Sequence, residues 1–304
     1  AKNRLGLSEW LFDPNNPIVA RVAINRYWQM IFGQGLVKTA EDFGSQGARP
    51  SHPELLDWLA KDFIDHNWDT RHAIKQMVMS ATYQQSSAYT EELLSKDSLN
   101  SLYARSSRPR LDAEVIRYQA LVVSGLLNDQ VGGPPVKPYQ PAGLWKAVAY
   151  TDSNTAKFEQ DHGDKLYRKS LYTFRKRTAS PPGMSLFDAP DRESCVVQRE
   201  ETNTPLQALL LMNDPQFVEA ARNMAQRVLT TKTEDKFSFL INQTLGRLPD
   251  EKMLSSLHMS YQQLNLLYQS NETAAKDLIS IGESEVDTSL DPIELATWTM
   301  LANQ

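Results

Sequence analysis

Cysteine is almost absent. Among 304 residues Cys195 stands alone, so no internal disulfide can form and the chain has no C-x-x-C-H haem attachment. Long apolar runs are absent too. None reaches the roughly 18 residues of a membrane span, and no span is expected. Positive charge is not in excess: the net charge is −5, whereas nucleic-acid binders carry a basic footprint, so no nucleic-acid partner is expected. Histidine is sparse, and His52, His66, His72, His162 and His258 form neither H-E-x-x-H nor another close ligand pair. The sequence therefore assigns no metal ligands. His66 and His72 flank a helix–helix turn and could meet in space. The opening AKNRLGLSEWLF lacks a cationic-then-apolar leader. It already reads as helix, so the visible chain is expected to start inside a longer polypeptide.

What is present is an ordinary globular composition, 41% hydrophobic and 23% charged. The length suits two domains or one large one, at roughly 100–200 residues per domain. Asn16-Pro17 reads as a helix start, with Val19, Val22, Ala23, Tyr27, Met30 and Ile31 at helical spacing and Gly33 as the stop. On that helix Asn25, Arg26 and Trp28 either line a groove with Asp42 or make inter-helix hydrogen bonds. Ser51 and Glu54 fit a capping box, and residues 51–83 read as an αα-hairpin. Leu111–Leu127 predicts a helix with Val115, Ile116, Val122, Val123 and Leu126 inward. Residues 128–204 hold seven of the sixteen prolines. Within them Lys169–Arg175 alternates like a strand, and Gly143–Tyr150 reads as a strand or short helix. Thr204-Pro205 and Asp214-Pro215 restart helices, followed by helices near 234–245, 250–269, 272–281 and 291–302. The expected fold is mainly α: helical hairpins or a bundle, a small β element and a long irregular middle. The expected parts are 1–127, 128–204 and 205–304, with one shared core as an alternative to separate ones.

The strings NPIVARVAINRYWQMIFGQGLV, EDFGSQG, HPELLDWLA, SATYQQSS, RPRLDAE, GGPPVKPYQPAGLW, DHGDKLYRKSLYTFRKRT, FDAPDRESCVVQRE and TNTPLQALLLMNDPQFVEAA occur in order. Together they resemble the C-terminal domain of unknown function of planctomycete cytochrome-c-associated proteins. The resemblance runs from about Leu5 to Leu229, with TLGRLP and ELATWTML continuing it. It implies an exported or periplasmic parent with upstream domains as partners, and haem c on another domain rather than in this chain. It also implies a source among bacteria that degrade complex polysaccharides.

Candidate chemistry concentrates in Asp188–Asn203, where Asp188, Asp191, Arg192, Glu193, Arg199, Glu200 and Glu201 surround Cys195. Carboxylates beside guanidinium groups could bind a polar ligand, with Arg192, Arg199 and Asn203 as ligand-binding candidates. The alternative is an Arg–carboxylate network that pins an irregular segment. Cys195, without a local histidine, reads as a small buried hydrophobe. His162, between Asp161 and Asp164, is the best single acid/base candidate, against a turn with no ligand. The basic run Lys165, Arg168, Lys169, Arg175, Lys176, Arg177 reads as a solvated face or as a site for acidic sugars. Trp145, Tyr150 or Tyr172 beside an arginine could form a carbohydrate platform. Three functions follow: a helper or interaction domain packing on upstream domains; a carbohydrate-active enzyme domain, oxidising or hydrolysing, that uses the 188–201 carboxylates and His162; and a carbohydrate-binding module.

Overall fold

Proline at a first helical turn, preceded by a residue in extended conformation, starts helices again and again in this chain, because the missing N–H costs nothing there. The computed structural model describes residues 2–149 and 156–304. Its described residues form α1 (Arg4–Leu11), α2 (Val19–Phe32), α3 (Pro53–Asp65), α4 (Thr70–Val78), α5 (Glu91–Lys96), α6 (Ala113–Ser124), α7 (Leu144–Val148), α8 (Pro182–Leu186), α9 (Pro205–Asn213), α10 (Pro215–Thr230), α11 (Lys236–Leu245), α12 (Glu251–Ser270), α13 (Glu272–Ile279) and α14 (Pro292–Asn303). The fold is mainly α, as expected. Two compact units meet in sequence between Arg110 and Leu111, so α6 belongs to the second.

In the first unit α2 packs on α3, and α4 folds back on both. Ile24, Trp28 and Phe32 of α2 meet Leu56, Leu59 and Phe63 of α3 and Met77 of α4, and Tyr103 closes the cluster. Trp28 stacks on Phe32 at 4.0 Å between centroids. Asn25, fully buried, donates to the Val37 carbonyl at 3.0 Å and accepts its N–H at 2.8 Å. Asn25 and Trp28 are thus core residues. The αα-hairpin is present, but the Ser51–Glu54 capping box is not. His52 takes the cap position without a side-chain cap, and the Ser51 hydroxyl turns to the Leu36 carbonyl at 3.3 Å.

In the second unit α10 is the central helix, packed on α14 and on α6. Met224, Ala225 and Val228 of α10 meet Leu240, Tyr268, Ile279, Leu295, Trp298 and Leu301. At α9 the capping box is real: Thr204 and Gln207 satisfy each other's backbone N–H groups. Asp214 caps α10 by accepting the Gln216 N–H at 3.0 Å. Helix α6 meets its expected orientation only in part: Ile116 and Leu126 pack against buried clusters. Its buried face is Ala113, Arg117, Leu121 and Ser124, while Val115 and Val122 are exposed.

The small β element is not found among the described residues. Ser170–Tyr172 is a 3-10 turn, and Val136 bridges Thr173 as one isolated pair. Ser170 and Thr173 point inward while Leu171 is exposed. That is a spacing of three, which an apolar–polar alternation cannot reveal. Gly143–Tyr150 contains the short helix α7; Tyr150 lies outside the described residues.

Glu219 of α10, fully buried, organises the turn after α13. Its Oε1 accepts from Tyr167 Oη at 2.8 Å and from the Glu283 and Ser284 N–H groups at 2.8 and 2.6 Å. Gly282, at φ +93°, lies so close that a Cβ there would collide with the Glu219 side chain. Gly282→Ala should therefore destabilise the protein by about 2–4 kcal/mol, combining left-handed strain with overpacking. Urea unfolding measures this, and a wild-type midpoint would refute the role given to Gly282.

Candidate functional site

Arg117 breaks an apolar helical stripe, and the chain folds around it. Its Nε donates to Gln216 Oε1 at 2.6 Å, Nη1 to the Arg168 carbonyl at 2.5 Å and Nη2 to the Leu166 carbonyl at 2.6 Å. Beside it lies a cavity of about 70 Å³, lined by Tyr139, Thr173, Met184, Phe187 and Asp214. Burial lowers the Arg117 pKa to about 10, with the charge of Asp214 opposing that fall. Burial raises the Asp214 carboxyl against the opposing Gln216 N–H and Arg117. Thr173 Oγ1 is buried without a hydrogen-bond partner. These are perturbed groups around a hollow, the usual mark of a site. The volume decides otherwise: ligand pockets run to roughly 300–1,000 Å³, and this space suits a few waters.

A second hollow, about 590 Å³, is lined by Gln140, Trp145, Lys146, Phe158 and Gln160. Gln140 Nε2 and Trp145 Nε1 are buried donors without partners. The indole itself is only 3% exposed, against Phe158 at 5.1 Å and Phe174 at 5.5 Å between centroids, with the Lys137 and Lys176 ammonium groups over its ring. Trp145 is therefore not an exposed platform. Tyr172 is covered by the Arg168 guanidinium at 3.8 Å.

The residues grouped by sequence go to separate tasks. His162 Nδ1 meets Glu283 Oε1 at 2.7 Å rather than its neighbours Asp161 and Asp164. Burial pushes the Glu283 carboxyl up, but bonds from His162, the Gly163 N–H and Gln160 outweigh it and leave it lowered. Asp188, at φ 57°, accepts the Thr202 N–H at 2.9 Å and its hydroxyl. Asp191 accepts the Glu193 N–H at 2.9 Å, and Glu193 is exposed. Arg192, at φ 68°, and Asn203 are exposed. Arg199 spends its fork on Glu114 of α6, at 2.6 and 3.3 Å. Cys195 is exposed, which corrects its reading as a buried hydrophobe. It sits in an irregular segment whose adjacent Val196 is itself 49% exposed, so no local apolar cluster covers the thiol. The basic run is not one solvated face either: Arg168 is buried, donating to the Gln130 and Pro134 carbonyls at 3.0 and 3.1 Å and to that of Gly132.

Sequence reasoning missed Arg117, Gln140 and Glu219. Arg117 carried a signal, since it stands four residues after Ala113 and four before Leu121 on one helical face. Gln140 carried none.

The sequence pattern of the family described as PSD1, protein of unknown function (DUF1553), matches residues 3–261. No curated protein and no solved structure matches the chain.

Glu114 gives a pH test of how the 188–203 segment is held. Burial pushes its carboxyl up, and the bond from Arg199 with the charges of Arg199 and Arg175 outweighs this, so the folded pKa lies below the ordinary 4.5. A depressed carboxylate stabilises the fold above its unfolded pKa and loses that contribution as pH falls through the folded value. Glu114→Gln should therefore cost about 1 kcal/mol near neutrality, a part-exposed ion pair's worth, and nothing in acid. Urea midpoints at the two pH values read it; an equal cost at both would exclude the ion pair as the cause.

Proposed function

The chain belongs to the PSD1 family of unknown function (DUF1553), and from that premise we propose that it is a non-catalytic interaction domain, a helper packing on neighbouring domains of an exported, cytochrome-c-associated polypeptide. Haem c in this reading sits on another domain. One observation carries it: Arg117, Arg168, Glu219 and Arg222 are turned inward to hold loops, while apolar side chains are left outside. On α9, Leu206, Leu209 and Met212 are 56%, 57% and 46% exposed. Their spacing of three places them along one helix face, and Gln207 is the helix's buried residue. Grouped exposed apolar side chains mark interaction surfaces more than single ones do.

Joined to its neighbouring domain, the protein should melt several degrees higher than alone, because a partner that binds only the folded state stabilises it. Replacing Leu206, Leu209 and Met212 by serine should abolish that rise and leave the isolated melting point unchanged, as exposed substitutions do. Identical melting with and without the neighbour would remove the proposal.

Carbohydrate binding is a second reading, favoured by the unpartnered Gln140 and Trp145 donors beside the larger hollow. Calorimetry with acidic or sulfated oligosaccharides should then give saturable heat that Gln140→Leu removes; no heat with either class of sugar rules this out. Hydrolysis draws no such support. It needs two carboxylates roughly 5–10 Å apart across a cleft, and Asp188 is taken up by Thr202 while Asp191 accepts from the Glu193 N–H of its own turn.

A further inference from the structure

We propose that Asp62, His66 and His72 form a binding site for a divalent first-row transition ion, with zinc as the fitting case, on the α3–α4 hairpin of the first unit. Sequence spacing gave no metal assignment. D-x-x-x-H-x-x-x-x-x-H matches none of the familiar helical ligand motifs, because its second histidine reaches the first from across the turn. In the fold the donor atoms of all three residues lie within 4.8 Å of one another. Asp62 is the centre: Oδ1 is 3.3 Å from His66 Nδ1, and Oδ2 is 3.1 Å from His72 Nε2. The two imidazoles stack at 3.9 Å between centroids with 15° between planes.

These separations suit a metal. Zinc bonds to nitrogen and carboxylate oxygen are roughly 2.0–2.2 Å, so tetrahedral donors stand roughly 3.3–3.6 Å apart. Asp62 already stands at such separations from both histidines, and the two rings turn about their side-chain bonds to converge on one ion. Two histidines and one carboxylate are a common donor set for borderline divalent ions, and they leave further positions for water or a bound group. Asp62 is mostly buried while both histidines are partly exposed, so an ion can reach the site from solvent.

The hairpin holds the donors in place whether or not an ion binds. Asn67 and Trp68 both take left-handed backbone angles, φ 53° and 61°, and turn the chain sharply after His66. Trp68 is locked against Phe63 at 5.2 Å between centroids. Asp69 caps α4 by accepting the Arg71 and His72 N–H groups at 2.9 and 3.1 Å, which fixes the first turn that carries His72. His66 Nδ1 also lies 2.9 Å from the Asp62 carbonyl. That carbonyl keeps the His66 backbone N–H at 3.0 Å when the ring turns to a metal, so ligation leaves no orphaned backbone group. On ligation each coordinating nitrogen gives its lone pair to the ion, and any proton it carried passes to the other ring nitrogen or to solvent.

The test uses the full chain, stripped with a chelator and titrated with zinc chloride. Saturable uptake of one ion per chain is expected, with a rise in melting temperature. His72→Gln and Asp62→Asn should each weaken uptake by roughly 100-fold or more, at least the upper end of what loss of an outer-shell partner costs, and His258→Gln should leave it intact. Cobalt(II) should give the visible absorption of tetrahedral N/O ligation, lost in the same two variants. A second measurement needs no variant: in wild-type protein, zinc should shift the ring-proton resonances of His66 and His72 ahead of those of His52, His162 and His258. No saturable uptake, uptake unchanged in the two variants, or shifts first at the other histidines would each overturn the assignment.

Discussion

Guanidinium groups bonded to main-chain carbonyls hold the second unit in shape. Arg117 takes the carbonyls of Leu166 and Arg168, Arg168 those of Gln130, Gly132 and Pro134, Arg175 that of Pro190, Arg222 those of Ile279 and Ser284, and Arg227 that of Val123. The need for them follows from composition. A proline-rich stretch cannot build a ladder, since each proline lacks a donor, yet its buried carbonyls still require partners. A guanidinium supplies five donors in a rigid fork and can serve two or three strands of chain at once. Hydrogen bonds of this charged kind contribute about 1.5–3 kcal/mol each, enough for a few arginines to replace a small sheet.

Such a device constrains function. A buried cation fully engaged with carbonyl dipoles cannot also bind substrate without unmaking the fold, and removal of one partner of a buried charge costs about 3–5 kcal/mol. Glu219 is likewise tied to the scaffold: its Oε1 collects Tyr167 and two backbone N–H groups, while its Oε2 is buried without a hydrogen-bond partner. Its charge and that of Arg222, whose nearest atoms are 3.8 Å apart, stabilise each other inside α10. Perturbed groups such as Asp214 and Arg117 are here a by-product of burial around a scaffold.

Most helices were legible, because their signals are local. Thr204-Pro205 and Asp214-Pro215 specify caps and a first turn whatever surrounds them, and Gly33 takes the left-handed cap, φ +81°, that ends α2. The failures share a cause. Val115 and Val122 were read as inward because apolar residues usually are, but Arg117 owns that face through carbonyls far away in sequence. KSLYTFR alternates like a strand but finds one bridging residue, Val136, instead of a partner strand. Asp188–Asn203 was legible as a charged, irregular segment. Which carboxylate Arg199 takes, Glu114 on α6, depends on a fold that spacing along the chain does not encode.

The exposed apolar face of α9 acquires meaning from the same economy. With arginines filling part of the interior, several apolar side chains are left for the surface. Burying a Leu or Met side chain fully stabilises by about 1.5–3 kcal/mol, and Leu206, Leu209 and Met212 are each already about half covered. The stripe can therefore yield only a few kcal/mol. Association between separate molecules costs about 4–15 kcal/mol in lost freedom, so this face is too weak to recruit a free partner by itself. Covalent linkage removes most of that cost by raising the effective concentration to about millimolar. A surface of this strength suits the proposed neighbour on the same polypeptide better than a free partner, a restriction that its hydrophobicity alone does not impose.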